Sequence, residues 1–228
     1  MLKKITTKTL IIGIHLCLGF MVFSQTTNQL DANGKRHGIW KKNFEGTEVL
    51  RYEGEFLHGK ETGLFKFYKN IKGKPVLTAT KLFSPDTDIA EVKFLASNGK
   101  TISQGNMQGK TYIGAWAYYQ KDSNALLTIE HYDNSGNLSG ERTVYYPNGK
   151  IAETQHYKNG KLNGQSMLYS KENVLISELS YIEGKLEGIA KQYSAKGELT
   201  AEGQYKNDKK SGLWKFYENG KLKEQKEF

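Results

Sequence analysis

Cysteine is almost absent: 228 residues hold one, Cys17. No disulfide can close within the chain, and neither a thiolate metal site nor a paired-cysteine redox motif can be assembled. Proline is nearly as scarce, with Pro75, Pro85 and Pro147 alone, which suits long uninterrupted strand ladders. No segment keeps a 3.6-residue apolar period long enough to read as a helix. Acid is the minority charge: 33 Lys and Arg stand against 24 Asp and Glu, a formal net charge of +9. The lysines are dispersed, so they read as a solvated surface and leave no basic stripe for nucleic acid. Gly-Lys pairs such as Gly160-Lys161 lack the Gly-x-x-x-x-Gly-Lys-Ser/Thr frame of a phosphate loop, and no Ser-His-Asp frame is recognisable. The expectation is a non-enzymatic protein without cofactor or metal.

The first 24 residues read as a secretory signal peptide. Lys3, Lys4 and Lys8 form a basic start, Leu10–Val22 is almost wholly apolar, and Val22-Phe23-Ser24 puts small residues before a cut at Gln25. The apolar run is short for a bilayer span of roughly 20 residues. Leu16 stands before Cys17 where a lipoprotein signal wants a small residue. Cleavage takes away three lysines, no acid and the cysteine, lowering the net charge from +9 to +6. The expected location is the periplasm, the outer-membrane surface or the exterior.

What the chain does have is a beat. Glycines close an x-Gly-Lys-x-x-Gly word, in a looser version at Gly114, Gly140 and Gly212, at Gly38, Gly63, Gly114, Gly140, Gly164, Gly188 and Gly212, and the last three gaps are 24 residues each. The gap from Gly63 to Gly114 is 51 residues, two periods, so one degenerate unit is expected over 69–98. An aromatic follows each of six beats by five residues: Tyr68, Tyr119, Tyr145, Tyr169, Tyr193 and Tyr217. Turn words recur at Ser97-Asn-Gly99, Pro147-Asn-Gly149, Ala195-Lys-Gly197 and Glu218-Asn-Gly220, with Asn173 holding the slot in a unit that lacks the glycine. Asn-Gly between apolar-alternating runs signals a type I′ hairpin. A fixed period of this size means one small unit stacked many times. The prediction is an all-β elongated antiparallel meander, one sheet of seven to eight stacked hairpins over 25–228. The seven glycines are expected to mark its turns. Tyr145, Tyr169, Tyr193 and Tyr217 are expected in one column, with Ile151, Leu175, Leu199 and Leu222 in another.

Tyr157-Lys-Asn-Gly-Lys-Leu-Asn-Gly164 and Tyr181-Ile-Glu-Gly-Lys-Leu-Glu-Gly188 resemble the MORN repeat in its bacterial variant form. The resemblance runs from Asp31 to Phe228, strongest over 131–222. It implies a scaffold, a dimerisation arm or a membrane-associated module. It also touches bacterial proteins labelled as antitoxins, although a cytoplasmic antitoxin would not carry this leader.

Candidate chemistry is sparse. His131 and His156 hold the same place in adjacent repeats, but a metal needs three or four converging ligands, so solvent-facing strand residues are the plainer reading. Glu153, Glu178, Glu202 and Glu224 follow the turns and read more simply as lysine partners than as an acid–base pair. Trp40, Trp116, Tyr118, Trp214 and Phe216 are either the core of a thin sheet or an outward aromatic ladder for a glycan or protein. The expected function is a protein-interaction scaffold in the bacterial cell envelope. Alternatives are a binder of anionic membrane or glycan, and an immunity protein against a partner toxin. The last strand, near Lys221–Phe228, offers an edge for a second copy.

Overall fold

The computed structural model describes residues 26–121 and 123–228; the expected signal peptide and Cys17 lie outside them. Among the described residues there is no helix, and the strands are β1 (Gln29–Leu30), β2 (Arg36–Asn43), β3 (Leu50–Leu57), β4 (Lys60–Ile71), β5 (Lys74–Phe83), β6 (Ile89–Leu95), β7 (Thr101–Gln108), β8 (Thr111–Tyr119), β9 (Leu126–Tyr132), β10 (Gly140–Tyr145), β11 (Ile151–Lys158), β12 (Lys161–Tyr169), β13 (Leu175–Ile182), β14 (Lys185–Tyr193), β15 (Leu199–Lys206), β16 (Lys209–Glu218) and β17 (Lys221–Glu227). Each pairs antiparallel with the next, from β1–β2 through β9–β10 to β16–β17. The result is one open meander, as the repeat predicts. Seventeen strands at a spacing of about 4.8 Å reach roughly 80 Å along the sheet.

Two kinds of connection alternate. Two-residue turns such as Asn159-Gly160, Glu183-Gly184 and Asn207-Asp208 have positive φ at both residues, the type I′ signature. Loops on the opposite side are longer. Tyr146 N donates to Lys150 O and Gly149 N to Tyr146 O, and the same pair of bonds closes 96–100, 170–174 and 194–198. Asn173, with φ of 72°, takes the glycine slot of its loop, as its spacing implies. The Asn-Gly words at Asn98 and Asn148 therefore close three-residue loops, 97–99 and 147–149, and not type I′ turns. Asn219-Gly220 alone of the named words makes the two-residue form, joining Glu218 to Lys221.

The seven beat glycines are not turn residues. All sit inside strands, with φ between 64° and 120°. Gly105 pairs with Trp116 while Asn106 pairs with Ile113, so Gly114 and Ala115 have no opposite number on β7. The same interruption of register surrounds Gly63, Gly164, Gly188 and Gly212. A β-bulge with left-handed backbone costs little only for glycine, and it sharpens local twist. The beat therefore marks where each second strand bends.

The tyrosine and aliphatic series pair across the hairpins: Tyr145 with Ile151, Tyr169 with Leu175, Tyr193 with Leu199 and Tyr217 with Leu222. In the degenerate region β4 and β5 pair without a break from Asn70–Pro75 to Tyr68–Leu77, and β5–β6 carries no bulge. That unit has lost its glycine and lengthened its hairpin. The segment Asp86–Asp88 forms the β5–β6 connection, with Asp88 bonded to the Gln108 side chain at 2.8 Å.

Candidate functional site

The core explains the uneven tryptophans. Side chains alternate across a sheet, and Trp40, Phe65, Trp116 and Trp214 share one face through their pairing with successive strands. Trp116 and Trp214 are 0% and 1% exposed and Phe65 is 2% exposed. A glycine eleven residues earlier lies beneath each of these three. A Cβ on Gly54 would stand 2.4 Å from the Phe65 ring, on Gly105 2.6 Å from Trp116, and on Gly203 2.4 Å from Trp214. Tyr112 stacks on Trp116 with centroids 3.9 Å apart and planes 7° apart. The Lys210 ammonium lies 4.1 Å from the Trp214 centroid, and Phe228 meets that ring edge-on at 6.2 Å. The indole N–H of Trp40, Trp116 and Trp214 donates in each case to a main-chain carbonyl of the preceding strand, Gln29, Asn106 and Gln204. Tyr118 and Phe216 are half-buried beside these rings. Of the two readings of these aromatics, burial supports the core, because a single-layer sheet has few other large side chains to bury. Trp40, the least covered ring of the set, carries Arg36 at 5.1 Å on one side and Phe56 at 6.0 Å.

The ring row is interrupted at β10, where Arg142 stands at the tryptophan position, two residues after Gly140. Its Nε donates to Glu130 at 3.1 Å and its Nη1 to Gln155 at 3.0 Å, with Glu153 at 3.7 Å. Tyr132 OH donates to Glu130 at 2.5 Å, and Tyr118 OH lies 3.2 Å from Tyr132 OH. Tyr157 OH donates to Gln155 at 3.0 Å. Burial, reinforced by Glu130, pushes the Tyr132 phenol well above its usual range, and burial raises Tyr118 and Tyr157. These phenols therefore stay neutral donors. The cluster is internally satisfied, so it substitutes a polar core segment for a missing ring.

The opposite face is different. It carries cross-strand charge ladders, Lys41–Glu53–Lys66 at one end and Glu178–Lys191–Glu202–Lys215 at the other. Lys66 is 3.2 Å from Glu53, and Lys215 is 3.8 Å from Glu202. Tyr68 OH donates to Glu53 at 2.9 Å and Tyr217 OH to Glu202 at 2.7 Å. The Tyr68 bond, helped by Lys66 and Lys41 against partial burial, lowers the Glu53 pKa; the Tyr68 phenol is pushed up to about 12 by burial first and then by Glu53. Beside the ladders stand Leu64, Leu82, Ile189 and Leu213, each about half exposed. Shallow depressions open behind the ring-bearing glycines. One of about 270 Å³ is lined by Ile39, Glu53, Leu64 and Lys66; one of about 400 Å³ by Glu91, Lys93, Ala115 and Ile129; one of about 230 Å³ by Ile189, Lys191, Glu202 and Leu213.

The four glutamates do not form one column. Glu178 and Glu202 lie on this ladder face, whereas Glu153 pairs with Val144 and Glu224 with Phe216 on the ring face. The same bulge follows the tyrosine in all four hairpins, so the difference lies in spacing: Glu153 and Glu224 stand two residues after Ile151 and Leu222, whereas Glu178 and Glu202 stand three after Leu175 and Leu199. The two histidines are separated by β10. His131 Nδ1 lies 2.7 Å from Glu141 O and His156 Nδ1 3.3 Å from Gln165 O, so each binds the carbonyl following a beat glycine. Among the described residues no group of three or more His, Cys, Asp and Glu is placed to hold a metal ion.

The N-terminal hairpin has a pH-responsive pair that sequence reading missed. His58 Nδ1 lies 2.7 Å from Asp31 Oδ2, and Asp31 Oδ1 accepts from Asn33 N and Lys35 N. The His58 bond, then the Lys35 amide, holds the Asp31 carboxyl down at about 2 from 3.8. A lowered folded-state pKa contributes stability above the unfolded value, and that stability is lost as pH falls through the folded value. The expected result is a melting temperature that falls between about pH 4 and pH 2. The Asp31→Asn variant shows a smaller fall over that window; an identical pH profile would remove the pair from the account.

The fold defines a hairpin-repeat protein with one bulged glycine in nearly every unit. A family model described as the MORN repeat variant matches residues 138–159, 186–207 and 210–228, so these three segments are similar to that repeat. No curated protein matches the chain. Among solved structures, a similar chain is a mutant of S. aureus TarM in complex with fondaparinux, alpha-GlcNAc-glycerol and UDP, at 14% identity and a TM-score of 0.34 over 54% of this chain. The match covers 21% of that protein's length.

Proposed function

We propose that this chain is a non-enzymatic, secreted interaction module of the bacterial cell envelope, docking a protein partner on its ladder face. The observation carrying the reading is the division of labour between faces. The large rings are buried on one side, while the other keeps half-exposed Leu64, Leu82, Ile189 and Leu213 beside alternating charges. Aliphatic anchors framed by complementary charge are the materials of a recognition surface. A repeated surface adds weak contacts by avidity. The leader expected at 1–24 supports the envelope setting. The edge strand β17 is exposed throughout and mixes lysines with glutamates, a composition that discourages strand pairing and favours face over edge.

The test is crosslinking in the envelope, purification of the tagged protein and mass spectrometry, with wild type beside a Leu64→Glu, Leu213→Glu double variant. Both side chains are exposed, so the variant keeps its stability to within about 1 kcal/mol. The wild type is expected to enrich a partner that the variant loses. An unchanged partner set, or none from the wild type, contradicts the reading.

A further inference from the structure

On one long side of the sheet the loops are built alike, and a single residue in each sets how the gap to the next loop is filled. The position is Ala96, Gln120, Tyr146, Ser170 and Ser194, whose main-chain N–H closes the loop at 2.8 Å in every case. Tyr146 plugs its gap: the phenol reaches the following loop and donates to Tyr169 O at 2.7 Å. Gln120 does the same with an amide, its Nε2 donating to Tyr145 O at 3.3 Å. In the loop from Ser170 the gap is taken up by Val174, whose Cγ1 is 3.3 Å from where a Cβ on Gly197 would stand. Ala96 brings only a methyl group.

The unplugged gap is a slot of about 510 Å³, inside the roughly 300–1,000 Å³ of ordinary ligand sites. Its walls include Ala96, Ile102, Tyr119 and Leu127, and Lys100 and Lys121 stand among its lining residues. Ile102 and Leu127 are 49% and 39% exposed. Tyr119 lines this slot and stands where Tyr145 and Tyr169 stand in the plugged ones, one residue before the next loop.

We propose that the slot is a docking pocket for a tyrosine side chain of a partner protein. The partner's phenol takes the position that Tyr146 takes in its own gap, stacks against Ile102 and Leu127, and donates to Tyr119 O. Lys121 favours an acidic residue beside that tyrosine. The chain fills such gaps with a side chain that ends in a donor, a phenol at Tyr146 and an amide at Gln120, and the apolar Ile102 and Leu127 beside this slot favour the phenol. This deepens the protein-docking reading and rests on it, but its test uses purified components, so it can fail while envelope capture succeeds.

The experiment is a titration of the purified protein with N-acetyl-Glu-Tyr-Glu-amide, its Phe analogue and p-cresol, followed by NMR shifts and calorimetry. The tyrosine peptide is expected to bind saturably, perturbing resonances of Ile102 and Leu127. The Phe analogue is expected to bind about three- to tenfold more weakly for want of the hydrogen bond. Ala96→Tyr and Ala96→Gln, which copy the chain's own plugs, are expected to weaken the peptide by at least about tenfold, and Ala96→Tyr is expected to melt no lower than wild type. Undiminished binding by both plugged variants, equal binding of the Phe analogue, or no saturation by the tyrosine peptide overturns the proposal. Binding of p-cresol as tight as the peptide overturns the protein-partner assignment.

Discussion

Trp116→Ala is expected to lower the unfolding free energy by about 3–5 kcal/mol, the range for deleting a large buried aromatic. The ring is 0% exposed, stacked by Tyr112 and seated on Gly105. Its loss leaves a cavity across three strands that the flat backbone cannot collapse to fill. Denaturant unfolding followed by circular dichroism reads the change. Gly105→Ala supplies the complementary experiment. A Cβ there stands 2.6 Å from the indole, and the ring has no free direction in which to move, so the expected loss is about 1–3 kcal/mol. In the Trp116→Ala background the same substitution meets no ring. It then stabilises, because alanine in a strand interior is better than glycine by roughly 0.5–1 kcal/mol. A sign change between the two backgrounds is the signature of a glycine kept for close approach. Additive losses would mean that Gly105 is required for its backbone alone.

Arg142→Ala is the second large effect. The guanidinium is the cation of its cluster and lies close to Glu130 and Glu153, with side-chain exposures of 26%, 16% and 29%. Removing it leaves the Glu130 and Glu153 carboxylates without their shared cation and takes from Gln155 one of its two donors, Tyr157 OH remaining. Breaking a fully buried pair costs about 3–5 kcal/mol; partial exposure brings the expectation here to about 2–3 kcal/mol. The Arg142→Ala, Glu130→Ala double variant is expected to recover part of this loss, with a coupling energy of about 1 kcal/mol or more. Independent effects of the two substitutions would show that the cluster does not act as a unit.

The contrast between these two sites shows what the sequence made legible. The period, the tyrosine–aliphatic pairs and the asparagine in a glycine slot are local and repeat in register, so the meander and its hairpins were readable. The beat glycines were readable as special but not as bulges, because a turn and a bulge demand the same left-handed backbone. The glutamates' split was legible in spacing: Glu153 and Glu224 stand two residues after the paired aliphatic and Glu178 and Glu202 three, and side chains alternate between faces along a strand. The buried rings carried a signal that spacing holds, a glycine eleven residues before Phe65, Trp116 and Trp214. It is recognisable only once size complementarity across strands is sought. Arg142 at a ring position gave no such warning, since its partners Glu130 and Gln155 come from two different neighbouring strands.

The division of the sheet into a covered ring face and an open ladder face is the claim on which the functional account stands. Site-specific photocrosslinking tests it most directly, with the photoreactive residue placed in turn at Leu64, Ile189 and Leu213 on the ladder face and at Leu168 on the ring face. All four positions are exposed, at 50%, 52%, 48% and 43%, so solvent access does not bias the comparison. In the envelope, the account predicts a common adduct from the first three positions and none from Leu168. An adduct confined to Leu168, or the same adduct from all four, contradicts it.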